Sequence, residues 1–256
     1  MADWSPSDYL TFADERTRPA RDLLARVQLK SPALVYDLGC GPGNSTELLS
    51  VRFPNAELIG IDSSPAMVAA ARKALPAAAF VQANLENWAP HAAADLLFSN
   101  ATFQWLPDQL AVMARLVRGL KPGGVLAVQM PDNLDEPSHR LMRATAENGT
   151  WANKLRDAAA ARAVLPSPQS YYAALKPLCT SLDIWHIIYN HPLKGAPAIV
   201  AWLATTGLRP FLNPLDSVEQ RAFLAEYQCR VAAAYPEFSD GTSLLRFPRL
   251  FLVAIR

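Results

Sequence analysis

One ten-residue run, Val35-Tyr36-Asp37-Leu38-Gly39-Cys40-Gly41-Pro42-Gly43-Asn44, constrains this chain more than any other. A short apolar stretch runs into a turn that carries glycine at alternate positions. Such a turn lets the backbone bend sharply and lets a ligand lie against it where any Cβ would clash. Ser45-Thr46-Glu47-Leu48-Leu49 follows, with polar residues before apolar ones, as at the start of a helix. An open α/β sheet uses strand, glycine turn and helix in this order to hold a nucleotide-like ligand at its carboxyl edge.

The surrounding rhythm agrees. Residues 57–61 read as a second strand ending at Asp62, and Ser63-Ser64-Pro65 supplies a serine cap and a first-turn proline for the next helix. Residues 80–82 and 95–99 predict two further strands, the latter continuously apolar as buried parallel strands are. A helix is expected over 108–117, then a turn at Leu120-Lys121-Pro122-Gly123-Gly124 and a fifth strand over 125–130. Strands and helices alternating in this way mean βαβ units and a parallel sheet. Upstream, Pro19 is read as starting a helix that carries Leu23, Leu24 and Val27 and ends at Ser31-Pro32. After Pro131 the rhythm lapses. Residues 131–178 look helical and irregular, 184–189 predict a sixth strand, 197–205 and 217–234 two helices, and 250–255 a closing strand.

Composition narrows the partners. Of 256 residues, 51% are apolar and 18% charged, enough for a large core and too ordered in character for a disordered chain. The net charge of +1 gives no general attraction to nucleic acid or an acidic membrane, so an anionic ligand needs a local basic cluster. Cys40, Cys179 and Cys229 are isolated and form neither a metal-binding pattern nor a disulfide framework, which favours a reducing cytoplasm. The opening residues lack the charge order of a secretory signal, and no apolar run approaches the ~20 residues of a membrane span.

Two acids choose among nucleotide-like ligands. A dinucleotide turn has glycine at its first, third and sixth positions; here the sixth is Asn44, and Asp37 precedes the first glycine by two. Asp37 would repel a pyrophosphate and attract an ammonium group. Asp62 ends the second strand where an acid chelates the two hydroxyls of a ribose. A ligand with a cationic amino-acid part and an adenosine ribose suits both acids, and S-adenosylmethionine is such a ligand.

Asp37-Leu38-Gly39-Cys40-Gly41-Pro42-Gly43, Asp62 and the Leu120-Lys121-Pro122-Gly123-Gly124 turn together resemble the class I S-adenosylmethionine-dependent methyltransferases over residues 34–130. The resemblance implies an α/β fold: a doubly wound, mostly parallel, Rossmann-like sheet of seven strands in one domain spanning 1–256. It also implies an N-terminal flap and helix over 1–30, a cofactor-binding core over 31–130, and last strands over 184–189 and 247–256. Helical insertions over 131–183 and 190–246 would form a lid over the carboxyl edge and supply the acceptor site. On the cofactor side it implies Asp37 at the amino group, Gly39 and Gly41 along the methionine part, and Asp62 at the ribose. Ser63 and Met67 would flank the adenine and Asn84 and Leu85 meet its polar edge, with Ser99 and Asn100 at the end of the fourth strand also on the cofactor side. Tyr9 and Arg16 would fold over the cofactor, Arg16 facing its carboxylate.

Trp4-Ser5-Pro6-Ser7-Asp8-Tyr9-Leu10, Phe103-Gln104-Trp105, Ile184-Trp185-His186, Tyr189-Asn190-His191-Pro192-Leu193, Thr206-Gly207-Leu208-Arg209-Pro210 and Phe247-Pro248-Arg249 carry a second likeness, which runs essentially end to end. In these residues the chain resembles the trans-aconitate methyltransferase family. It implies methyl transfer to a carboxylate oxygen of a small polycarboxylic acid, trans-aconitate being the specific expectation. A carboxylate is already anionic at neutral pH, so no general base, catalytic side chain or metal is required. Holding such an acceptor calls for forked cationic donors. Arg209 and Arg246 are the arginine candidates, with Gln104, Trp105, Tyr189, His191 and Trp202 as donors or walls; His186 reads as an ordinary strand residue. No nucleic-acid, membrane or obligate protein partner is expected. Three readings compete: a carboxyl methyltransferase for another acid, such as an acyl-carrier-bound malonyl group, a non-catalytic S-adenosylmethionine-binding module, and an NAD-dependent oxidoreductase, against which Asp37 and Asn44 speak.

Overall fold

The computed structural model describes residues 13–158 and 162–256, with the backbone alone over 13–16. The chain runs α1 (Ala13–Leu24), β1 (Leu34–Leu38), α2 (Asn44–Arg52), β2 (Glu57–Asp62), α3 (Pro65–Ala74), β3 (Ala79–Gln82) and β4 (Ala94–Asn100). It continues through α4 (Gln109–Arg118), β5 (Leu120–Pro131), α5 (Pro137–Glu147), α6 (Pro168–Leu175) and β6 (Ser181–Leu193). Last come α7 (Gly195–Ala204), α8 (Arg209–Leu212), α9 (Ser217–Ala234) and β7 (Ser243–Ile255). The seven strands form one sheet in the order β3-β2-β1-β4-β5-β7-β6.

The chain divides into two compact units. The first holds, among the described residues, 13–131, Leu165–Ile187 and Leu250–Arg256. In it β1 pairs in parallel with β2 and β4, β2 with β3, and β4 with β5. The end of β7 bonds back to the start of β5, Gly123 N–H to Arg256 O and Arg256 N–H to Gly124 O, which makes β7 antiparallel to β5. Every residue of β1 is buried. Leu34, Tyr36 and Leu38 join Leu97, Leu126, Val128, Met130 and Leu252 in a continuous core, and Val35 is buried as well, as a strand covered on both faces requires.

Three expectations change here. The first helix begins before Pro19 rather than at it, with Pro19 inside α1. The lost backbone bond is tolerated where the stripe of Ala20, Leu23 and Leu24 is buried. The Lys-Pro-Gly-Gly turn is an excursion within β5: register moves from Ala94 opposite Leu120 to Leu96 opposite Val125, with Gly123 at φ +79° absorbing the bend. The segment from Leu165 to Ile187 belongs with the sheet rather than with the helical insertion, because Tyr171 and Leu175 of α6 are fully buried in the sheet's core. Tyr171 Oη donates to Gln109 Oε1 of α4 at 2.5 Å.

The second unit comprises Asp132–Val164 and Ile188–Arg249. Its helix α9 starts at a capping box in which Asp216 and Glu219 satisfy each other's backbone N–H groups. Phe223 of that helix packs between Trp151 and Phe211, and Tyr227 Oη donates to Ser138 O of α5 at 2.9 Å. No helix among the described residues is long and apolar enough to cross a membrane.

Candidate active site

The glycine turn after β1 is built from positive φ angles, +74° at Gly39, +55° at Gly41 and +105° at Gly43, which L side chains adopt only with strain. A Cβ at Gly39 would lie 2.0 Å from Thr102 Oγ1, so glycine is needed there for packing as well. At Gly41 a Cβ would meet nothing within 4 Å, which leaves the backbone open to a ligand.

Asp37 lies beneath this turn at 0% exposure. Its Oδ2 accepts hydrogen bonds from Ser45 Oγ at 2.7 Å and Thr46 Oγ1 at 2.6 Å, both in the first turn of α2. Its Oδ1 is buried with no hydrogen-bond partner. Burial pushes the carboxyl up to about 6, the Thr46 and Ser45 hydroxyls hold it down, and the Asp62 charge adds to the rise. The sequence reading sets Asp37 directly against an amino group. In this geometry Asp37 is buried beside the turn, with one carboxylate oxygen satisfied by α2 and the other without a partner.

Asp62 is more accessible and has a second duty. Its Oδ2 accepts from Gly41 N–H and its Oδ1 from Ser64 N–H, each at 2.9 Å, so the acid of β2 ties the glycine turn to the start of α3. A carboxylate oxygen has a second lone pair, which leaves acceptor capacity for a ribose diol. An orphaned buried anionic oxygen, an open glycine backbone and an acid at the adjacent strand end together fit a donor that carries an ammonium group and a ribose.

The adenine candidates divide. Ser63 and Asn84 are exposed, whereas Met67 and Leu85 are buried and Leu85 is part of the core. Asn84 Oδ1 accepts from Glu86 N–H at 3.0 Å in a turn that Arg115 of α4 clamps through the carbonyls of Leu85, Glu86 and Trp88.

At the end of β4, Ser99 is fully buried and donates to Leu38 O at 2.8 Å, tying β4 to β1. Asn100 Oδ1 accepts from Gln129 Nε2 of β5. Ala101 follows at φ +60°, the one non-glycine positive φ among the described residues, and strain of this kind clusters at functional sites. Gln104 Nε2 donates to Ala101 O at 2.6 Å while its Oε1 is buried with no partner. A carboxamide oxygen accepts and cannot donate, so it suits a donor group better than an acceptor carboxylate. Trp105 is half-buried at the end of the same short turn.

In the second unit Tyr189, His191 and Trp202 do come together. His191 stacks on Tyr189 at a centroid distance of 6.0 Å and lies 4.7 Å from Trp202, with Phe247 edge-on to both His191 and Trp202. All three are buried, which makes them a wall or core rather than solvent-facing donors. Arg209 opens α8 and is half-buried. Arg246 is exposed and ion-paired with Glu136, so it already holds a carboxylate of its own chain. Tyr9 and the side chain of Arg16 lie outside the described residues.

Residues 35–124 match a family model described as a methyltransferase domain. Two curated relatives, trans-aconitate 2-methyltransferases of Rhodopseudomonas palustris (strain HaA2) and Methylobacterium nodulans, are 58% and 56% identical over 256 residues. The alignments cover 100% of this chain and 100% and 99% of theirs. The chain belongs to the trans-aconitate 2-methyltransferase family. Its backbone resembles the YcgJ protein from Bacillus subtilis, with a TM-score of 0.60 at 16% identity over 93% of this chain and 98% of that one. It also resembles the plantazolicin methyltransferase BamL, solved in complex with a triazolic desmethylPZN analog and S-adenosylhomocysteine, with a TM-score of 0.52 at 18% identity over 98% and 88%. At such identities these two structures show the fold alone.

Within this trans-aconitate 2-methyltransferase family member, sequence reasoning passes over Ala101, Thr102 and Gln129. Alanine and threonine carry no mark of the left-handed φ or of the glycine they face, and Gln129 reads as one more residue of a buried strand. It also passes over Asn133, Arg162 and Arg249, which lie far apart in sequence and come together only in the second unit.

Proposed function

We propose that this chain transfers the methyl group of S-adenosylmethionine to a carboxylate oxygen of trans-aconitate, giving a monomethyl ester and S-adenosylhomocysteine. The observation that carries the reading is end-to-end identity of 58% to relatives named for that reaction. The donor supplies an electrophilic methyl on a sulfonium. A C–O bond forms as the C–S bond breaks, and the electron pair of the broken bond stays on sulfur. The acceptor arrives as an anion, so no proton has to move and the protein's task is alignment. Asp37 and Asp62 bias the carboxyl edge of β1 and β2 toward a cationic amino-acid tail and a ribose, and the open backbone at Gly41 lets the ligand lie close. Arg209 is proposed as a forked donor for an acceptor carboxylate, with Tyr189, His191 and Trp202 as the wall behind it. The free thiols of Cys40, Cys179 and Cys229 favour a reducing, cytoplasmic setting.

The test is incubation with methyl-labelled S-adenosylmethionine and a panel of trans-aconitate, cis-aconitate, citrate and carrier-bound malonate. The expected product is a labelled trans-aconitate monoester. Transfer to the carrier-bound acid with none to trans-aconitate would sink the assignment.

A further inference from the structure

The second unit gathers a group of cationic and amide side chains, two of them buried and one half-buried, that the glycine-turn site does not use. Asn133, just past the end of β5, is 1% exposed. Its Oδ1 accepts from Arg162 Nη1 at 2.8 Å, while its Nδ2, a donor, is buried with no hydrogen-bond partner. Arg249 of β7 is 4% exposed, with its guanidinium 5.0 Å from the Phe247 ring centroid. Arg162 and Arg249 are near enough to act on each other. Burial brings Arg162 down to about 10, Asp132 favours its charge and Arg249 opposes it. Arg162 and Arg143 in turn, after burial itself, help hold His139 neutral.

We infer that Asn133, Arg162 and Arg249 form a subsite for one carboxylate of a small polycarboxylic acid, a carboxylate that is held rather than methylated. This rests on the proposed function above and names the residues that read the acceptor. Two guanidiniums present forked N–H donors that match a carboxylate, and charge-assisted bonds of this kind are the strong ones. The amide Nδ2 adds a donor whose burial is unfavourable until an acceptor reaches it. Asn133 and Arg249 are buried and Arg162 half-buried, so three donor side chains meet where little water is left, with Asp132 the acid that acts on Arg162. Arg246, a candidate from the sequence, is exposed and ion-paired with Glu136, whereas Arg249 three residues on is buried.

The decisive variant is Asn133→Asp. It places a carboxylate beside Arg162, which improves the charge balance of the folded chain and competes with the ligand. Calorimetry with trans-aconitate as the probe, with melting curves and kinetics beside it, should show binding and KM weakened at least tenfold. The melting temperature should not fall, kcat should change little, and S-adenosylmethionine affinity should be unaltered. Arg249→Lys, which keeps the charge and loses the fork, should raise KM for trans-aconitate several-fold. The penalty should shrink for a dicarboxylate that lacks the third carboxyl, a dependence on the acceptor that a purely structural role does not produce. Unchanged trans-aconitate binding in Asn133→Asp, or an equal penalty for both acceptors, would overturn the subsite. Wild-type protein that binds trans-aconitate through these residues but never methylates it would overturn only the proposed reaction.

Discussion

Asp37→Asn separates stability from ligand binding at the glycine turn. The carboxyl is raised from 3.8 to about 6, chiefly by burial, so its folded value lies above its unfolded one. The stability it contributes is therefore full below about pH 4 and is lost as pH rises through about 6. A shift of about two units at about 1.4 kcal/mol each amounts to about 3 kcal/mol at neutral pH. Asparagine keeps the shape, and its oxygen can still accept from Ser45 and Thr46, but its amide group brings a buried donor to the place of the unpartnered Oδ1, a cost that does not vary with pH. The melting temperature of the variant relative to wild type should therefore rise by about 6–12 °C between pH 4 and pH 7.5, at about 2–4 °C per kcal/mol for a chain of this size. The same charge is what a cationic tail would feel, so S-adenosylmethionine should bind the variant at least tenfold more weakly by calorimetry, and S-adenosylhomocysteine, which keeps the ammonium, should follow it. The assay is a matched pair of melting series across pH 4 to 7.5. A difference between the two proteins that stays constant over that range would refute the claim that Asp37 carries a buried charge at neutral pH.

Arg209→Ala should raise KM for the carboxylate acceptor ten- to hundredfold, the loss of a charge-assisted contact being about 1.5–3 kcal/mol, and leave cofactor affinity near normal; unaltered steady-state kinetics would remove Arg209 from the site. His139 is held down to about 3 by burial, with Arg162 and Arg143 adding to it. Its neutral form is the native one, so stability should decline as pH falls from about 6.5 toward 3, by up to about 5 kcal/mol from this group alone. His139→Gln should flatten that part of the profile in chemical denaturation. Gly39→Ala combines a φ of +74° with a Cβ 2.0 Å from Thr102 Oγ1, and should cost at least about 2 kcal/mol and displace the turn. Shortening Thr102 to glycine in that background should restore only the part due to the clash, as read from the melting temperatures of the single and double variants.

The sequence by itself determined the nucleotide-binding half. Strand, glycine turn and helix are local events, and period, capping and φ preference are written in consecutive residues: Asp37 and Asp62 announce their strand ends, and Ser64 caps α3 as its position before Pro65 predicts. The end-to-end likeness to a family was also legible, because similarity needs no geometry. What only the tertiary structure decided depends on residues remote in sequence. Burial raises the Asp37 carboxyl and leaves its Oδ1 without a hydrogen-bond partner. Asp62 is drawn into bracing Gly41, and Thr102 makes Gly39 obligatory. Arg246 and Arg249 stand three apart on one strand and are indistinguishable in composition. One meets Glu136 near the surface, while the other lies buried near Arg162, because an arginine's role follows from which charges surround it and how much water remains.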